Sequence, residues 1–132
     1  MSSTIIKNPK ISIDPDLLKE LATDTDEMGQ VIVHCLCKAP ASYSSYIRIW
    51  PSTFLFDLHS AHKSKLLFAE KINMFPEWLE VPAGSSYVFT LIFGGLPSSC
   101  KYFDLQEVIP QSGGFAVHKI SRNDTDVYFV QV

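Results

Sequence analysis

From Gln30 to the C-terminus the apolar residues recur at every second position, and a two-residue period commits this part of the chain to β-structure. Val31, Val33, Cys35 and Cys37 fall on one face of a strand, with Ile32, His34 and Leu36 on the other. Between Tyr46 and Trp50, Ile47 and Ile49 oppose Tyr46, Arg48 and Trp50. The cleanest run is Ser86 to Phe93, where Tyr87, Phe89, Leu91 and Phe93 alternate with Val88, Thr90 and Ile92. Shorter strands are expected at Thr53 to Leu58, Lys65 to Ile72, Glu77 to Val81 and Tyr102 to Ile109. Phe115 to Ser121 and Asp126 to Val132 read as a final hairpin across Arg122-Asn123-Asp124-Thr125.

Only one helix is expected. Asp14 is placed to cap it, Pro15 suits its first position and Asp16 complements its dipole. Leu17, Leu18 and Leu21 would form one apolar stripe, and the acidic run from Thr23 to Gly29 should end the helix. No repeat or linker divides the 132 residues, so residues 1–132 should form a single domain. The strands are punctuated by Pro, Gly, Ser or Asn, and several are apolar on both faces near their middles. This pattern favours an all-β chain, an antiparallel immunoglobulin-like β-sandwich of about seven to nine strands with one short N-terminal helix. The disulfide and buried-Trp spacing of antibody domains is absent.

Four segments carry a resemblance: Val81-Pro82-Ala83-Gly84, Phe89 to Phe93, Gly95-Leu96-Pro97 and Phe103-Asp104-Leu105-Gln106-Glu107. Together they resemble small, largely uncharacterised bacterial β-sandwich domains, in which a Pro-x-Gly turn leads a strand ending in an apolar-Pro step. The likeness runs from about Ile47 to the C-terminus. It implies an immunoglobulin-like fold and no catalytic residue.

Fourteen acidic and eleven basic residues give a net charge of −3, and the basic ones are scattered. A nucleic-acid backbone needs a clustered basic face, so nucleic acid is not an expected partner. Val81 to Cys100 carries no charge, but Pro82, Gly84, Gly94, Gly95 and Pro97 break it too often for a spanning helix. No membrane association is therefore expected. The N-terminus lacks a basic start followed by an apolar stretch, and three cysteines suit free thiols better than disulfides. Both features point to a cytoplasmic protein. Asn123-Asp124-Thr125 matches a glycosylation acceptor but reads better as a polar turn.

The motifs that could carry chemistry fail on their spacing. His59 and His62 lack the adjacent Glu and the three-residue separation of a helical zinc site, and read as a hairpin tip. Cys35 and Cys37 share their face with Val31 and Val33 and belong to the core. Asp24 to Gly29 begins like a calcium loop, yet Met28 and Cys35 stand where oxygen ligands are needed. Asp57 and His59 have no Gly-x-Ser-x-Gly partner, and neither Gly94-Gly95 nor Gly113-Gly114 precedes a helix that would cradle phosphate. No cofactor, metal or catalytic residue is expected.

Aromatic residues make up 12 % of the chain, and most belong to alternating strand positions. Tyr43 and Tyr46, in or beside the Ser-rich stretch from Ala39 to Ser45, and Trp78, beside Pro76 and Glu77, are the rings left for a surface task. The expected function is a non-enzymatic binding module, foremost a protein-interaction or accessory domain. Its C-terminal strand, if it lies at an edge, would offer a route to a partner or to self-association. The alternative is a small-molecule or oligosaccharide-binding sandwich using Tyr43, Tyr46 and Trp78. An enzyme of unknown class ranks third.

Overall fold

A computed structural model describes residues 29–132 together with the backbone of Thr4–Ile5. Ten strands run in order: β1 (Thr4–Ile5), β2 (Gln30–Lys38), β3 (Ser45–Ile47), β4 (Thr53–Asp57) and β5 (Lys63–Glu70), then β6 (Leu79–Val81), β7 (Ser86–Gly94), β8 (Tyr102–Glu107), β9 (Ala116–Ser121) and β10 (Val127–Gln131). Eight of them form one sheet in the order β1-β10-β2-β7-β5-β4-β8-β9, and β3 pairs with β6 in a small second sheet. The described residues are all-β. The helix expected from Asp14 lies outside them.

β5 is the corner of the sheet. Its first residues, Lys63 to Lys65, pair with β4, and Leu66 to Glu70 pair with β7 across a register shift between Leu66 and Phe68. An irregularity of this kind bends a strand and lets it serve two neighbours. The sheet therefore folds over, and the inward positions of both halves meet in one core. Val31, Val33 and Cys35 of β2 and Phe89, Leu91 and Phe93 of β7 pack in the same cluster as Leu55 of β4 and Phe103 and Leu105 of β8. Phe103 meets Tyr128 of β10 edge-on with ring centres 4.9 Å apart. All three cysteines are buried and free.

Two expectations are corrected at the C-terminus. The sheet is mixed and nearly closed rather than antiparallel, because β10 runs parallel to β2, with Val127 opposite Ile32 and Gln131 opposite Leu36. Nor do β9 and β10 form a hairpin. β9 pairs with β8 at one end of the sheet, whereas β10 lies between β1 and β2 near the other. Residues 122–126 cross between the two. Five residues reach about 16 Å when extended, enough for the roughly 10 Å that separates packed sheets.

Side chains hold that crossing. The Arg122 guanidinium donates to Asp126, at 2.9 Å for the Nη2–Oδ2 contact, and Nη1 donates to the Pro97 carbonyl at 2.8 Å. The Tyr128 hydroxyl donates to Asp126 Oδ1 at 2.9 Å and accepts the Asn123 N–H at 3.0 Å. The Asn123 side chain accepts the N–H groups of Thr125 and Asp126 and donates to the Val127 carbonyl. The acceptor triplet is thus an Asx turn.

Candidate functional site

The small β3-β6 sheet positions the site. Ile47 pairs with Leu79 and Tyr46 with Glu80. Ile47, Ile49 and Val81 are buried in the core, so the two-residue period turns Tyr46, Arg48 and Trp50 to the other side. There they line a cleft of about 580 Å³, together with Tyr43, Trp78, Lys38 and Glu107. The structure thereby brings Trp78, some thirty residues further along the chain, to the place where Tyr43 and Tyr46 lie. All three are well exposed, at 63 %, 59 % and 54 %.

Arg48 organises the rings. Its guanidinium carbon lies 3.7 Å from the Trp78 ring centre and 4.6 Å from that of Phe75. Nη1 donates to the Pro76 carbonyl at 2.9 Å, which fixes the fork between the two rings. Phe75 packs in turn on Trp50 with centres 3.9 Å apart and the ring planes tilted by 32°. A cation over an aromatic face contributes about 0.5–1 kcal/mol when exposed. Arg48 makes two such contacts, so Trp78 is held in a defined pose. Asn73 secures the Trp78 backbone by donating from Nδ2 to its carbonyl at 2.9 Å.

Glu107 ties the walls of the cleft together. Its Oε2 accepts the Trp50 N–H at 2.9 Å and its Oε1 accepts the Phe115 N–H at 3.2 Å. Burial holds this carboxyl above the ordinary glutamate range, opposed by the two N–H donors and by the Arg48 charge. Gly114 leaves room for the arrangement, since a Cβ there would stand 2.9 Å from the Glu107 carbonyl oxygen. The acid therefore acts as a two-point clamp between the loop after β3 and the loop before β9.

The apolar surface continues past the cleft. Met74 adjoins Phe75 in sequence and lines a neighbouring hollow with Pro51, Leu67 and Phe68. Met74, Phe75, Leu67 and Phe68 are all exposed. An Arg-centred row of rings thus runs into an apolar shelf.

The histidine motif and Asp57 are engaged in local contacts away from the cleft. Asp57 accepts from the His59 N–H and the Ser60 hydroxyl at the β4-β5 tip, which draws its carboxyl below the ordinary range despite its burial. His62 Nε2 lies 2.9 Å from the Ser64 hydroxyl and takes part in the same turn. Burial pushes the Cys35 thiol far up and the Cys100 thiol up to about 11, so neither is a ready nucleophile. Among the described residues no group of three His, Cys, Asp or Glu gathers as a metal site. No described helix is long and apolar enough to cross a membrane. Of Asp24 to Gly29, only Gly29 is described.

Arg48, Trp50, Phe75 and Glu107 were not singled out as site residues from the sequence. Arg48 and Trp50 share the alternating face with Tyr46, which was a usable signal. Phe75 and Glu107 are brought in only by tertiary packing. No family model, curated protein or solved structure matches the chain.

Proposed function

We propose that this is a non-enzymatic protein-interaction domain that docks an extended segment of a partner on the Tyr43–Tyr46–Trp78 face. The observation carrying this reading is the Arg48 fork held between Trp78 and Phe75 at the centre of an exposed aromatic surface. Trp, Tyr and Arg are the residues that dominate binding energy at protein interfaces. Their rigidity matters too, because a ring already held in place loses little freedom on binding. The apolar shelf from Met74 to Leu67 extends the surface beyond the cleft, which suits a polypeptide better than a compact ligand. The folded sheet is read as a variant of the immunoglobulin-like sandwich with one parallel pair, consistent with the resemblance to small bacterial domains. Self-association through the C-terminal strand is not part of the proposal, since β10 is flanked by β1 and β2.

The test is differential capture from a cell extract with the unaltered chain, Trp78→Ala, Arg48→Ala and a distant control, Tyr102→Ala. A protein retained by the unaltered chain and the control but lost with both site variants is the expected result. The same retained set with all four would refute the assignment.

A second reading, an oligosaccharide stacked on Tyr43, Tyr46 and Trp78, draws on the polar lining supplied by Lys38, Gln111 and Ser112. A sugar that raises the melting temperature of the unaltered chain and not of Tyr46→Ala would favour it.

A further inference from the structure

The lining of the cleft is one-sided in its hydrogen bonding. Lys38, Arg48, Trp50 and Trp78 all line it, and their side chains can only donate. Arg48 spends Nη1 on the Pro76 carbonyl. Among the described residues, the hydrogen bonds of Trp50 and Trp78 are made by their backbone atoms, the Trp50 N–H to Glu107 and the Trp78 carbonyl from Asn73. Both indole N–H groups are therefore left to the cleft. Glu107 is the only lining side chain, among the described residues, that can only accept. The Trp50 and Phe115 N–H groups take one oxygen each of that buried carboxyl. The surface thus holds two cations, unspent donors and an acceptor already engaged, set among the exposed rings of Tyr43, Tyr46 and Trp78.

The electrostatic complement of such a surface supplies carbonyl oxygens without N–H or O–H groups, and apolar faces for the rings. A β-strand brings one N–H with each carbonyl, and a sugar hydroxyl brings a proton with each oxygen. Either would carry donors to a lining short of acceptors. Proline has no N–H, and in the polyproline II conformation its carbonyls make no bonds within the chain. Its ring offers a compact apolar face to an aromatic groove, and its fixed φ leaves little freedom to lose on docking.

We propose that the segment docked on the Tyr43–Tyr46–Trp78 face is proline-rich and held as polyproline II, with the Trp78 indole N–H donating to one of its carbonyls. This inference rests on the reading of the cleft as a docking face and adds the class of its occupant. The cations of Arg48 and Lys38 favour the same carbonyl-rich backbone.

The probe is capped decaproline, with capped (Gly-Ser)5 as a flexible chain of equal length. The chain has two tryptophans, Trp50 and Trp78, so a proton–nitrogen correlation spectrum of the labelled protein shows one indole signal for each, assigned with Trp50→Phe. The expected result is a saturable downfield movement of the Trp78 indole signal with decaproline, at a Kd below about 1 mM, and a response to (Gly-Ser)5 at least about tenfold weaker. Trp78→Phe keeps a ring and removes the N–H, and should weaken decaproline binding about fivefold, the worth of one net hydrogen bond. Equal responses to the two peptides, an affinity unchanged in Trp78→Phe, or no movement at several millimolar decaproline would each overturn the proposal. If a partner is still captured through Trp78 and Arg48 after such a failure, the docking face stands and its occupant is of another class. Loss of that capture as well would remove the docking reading itself.

Discussion

Replacing Glu107 with Gln tests whether the carboxylate clamp holds the cleft walls. The change preserves size and removes one acceptor, because the amide end of Gln presents N–H groups where Glu presents oxygen. One of the Trp50 and Phe115 N–H groups is then left facing a donor. Losing a charge-assisted hydrogen bond costs about 1.5–3 kcal/mol, and a buried donor without a partner falls in a similar range. Gln also avoids burying a charge, which returns part of that loss. The net expectation at pH 7 is a destabilisation of about 1–3 kcal/mol, with Glu107→Leu costing more because both N–H groups lose their partner.

The pH dependence gives a second, independent sign. Burial holds the folded carboxyl above its unfolded value, so between the two values the native state binds more protons than the unfolded chain. The Glu107 contribution to stability therefore increases as the pH falls through the folded value toward the unfolded one, by at most about 1.4 kcal/mol per unit. Urea unfolding at a series of pH values from 7 to about 4 would show the unaltered chain gaining stability relative to Glu107→Gln on acidification. A Gln variant as stable as the parent at pH 7, with a parallel pH profile, would refute the clamp.

Three further outcomes follow from other contacts. Removing the Tyr128 hydroxyl with Tyr128→Phe strips the Asn123 N–H of its acceptor and Asp126 of a donor, so urea unfolding should report a loss of about 1–2 kcal/mol; no change would mean the hydroxyl does not hold the crossing. Burial keeps His34 below the ordinary imidazole value, so the unfolded chain protonates first. Its contribution to stability is complete above about pH 6.5 and is lost as the pH falls toward the folded value, with a slope of at most about 1.4 kcal/mol per unit that His34→Gln should abolish. Arg48→Ala should release Trp78, seen as a drop in its steady-state fluorescence anisotropy with little change in melting temperature; Trp50→Phe in both proteins isolates the Trp78 signal, and an unchanged anisotropy would refute the fork.

The strands were legible because alternation is local. Val31 to Cys37 and Phe89 to Phe93 each announce an inward face without knowledge of their neighbours, and those faces join the core cluster. The three candidate rings were legible for a related reason: they fell outside the alternating inward sets, and a ring that the core does not need is free for the surface. Their companions were not. Glu107 belongs to an ordinary strand pattern, and its meaning depends on two N–H groups that the sequence places far away. Phe75 likewise gains its role from Arg48 and Trp50, which are brought to it by the bridge between Ile49 and Met74, where the Phe75 N–H donates to the Ile49 carbonyl.

The direction of β10 shows where local reading ends. A polar stretch between two strands, rich in Asn and Asp, fits a hairpin loop as well as it fits a crossing, and the strand pattern on either side is the same for both. What separates them is the use of side chains. Arg122 spends its guanidinium on Asp126 and on the Pro97 and Cys100 carbonyls, at the loop before β8. Arg122 sits at the β8-β9 end, where its own N–H donates to the Lys101 carbonyl at 2.8 Å and its guanidinium reaches the Pro97 and Cys100 oxygens. The crossing satisfies them and also seats Tyr128 against Phe103, where it helps close the core between the two ends of the sheet. Parallel pairing of β10 with β2 is thus a consequence of closure. With one end of the sheet committed to β8-β9, a chain turned inward by Arg122 reaches the far layer travelling in the same direction as β2.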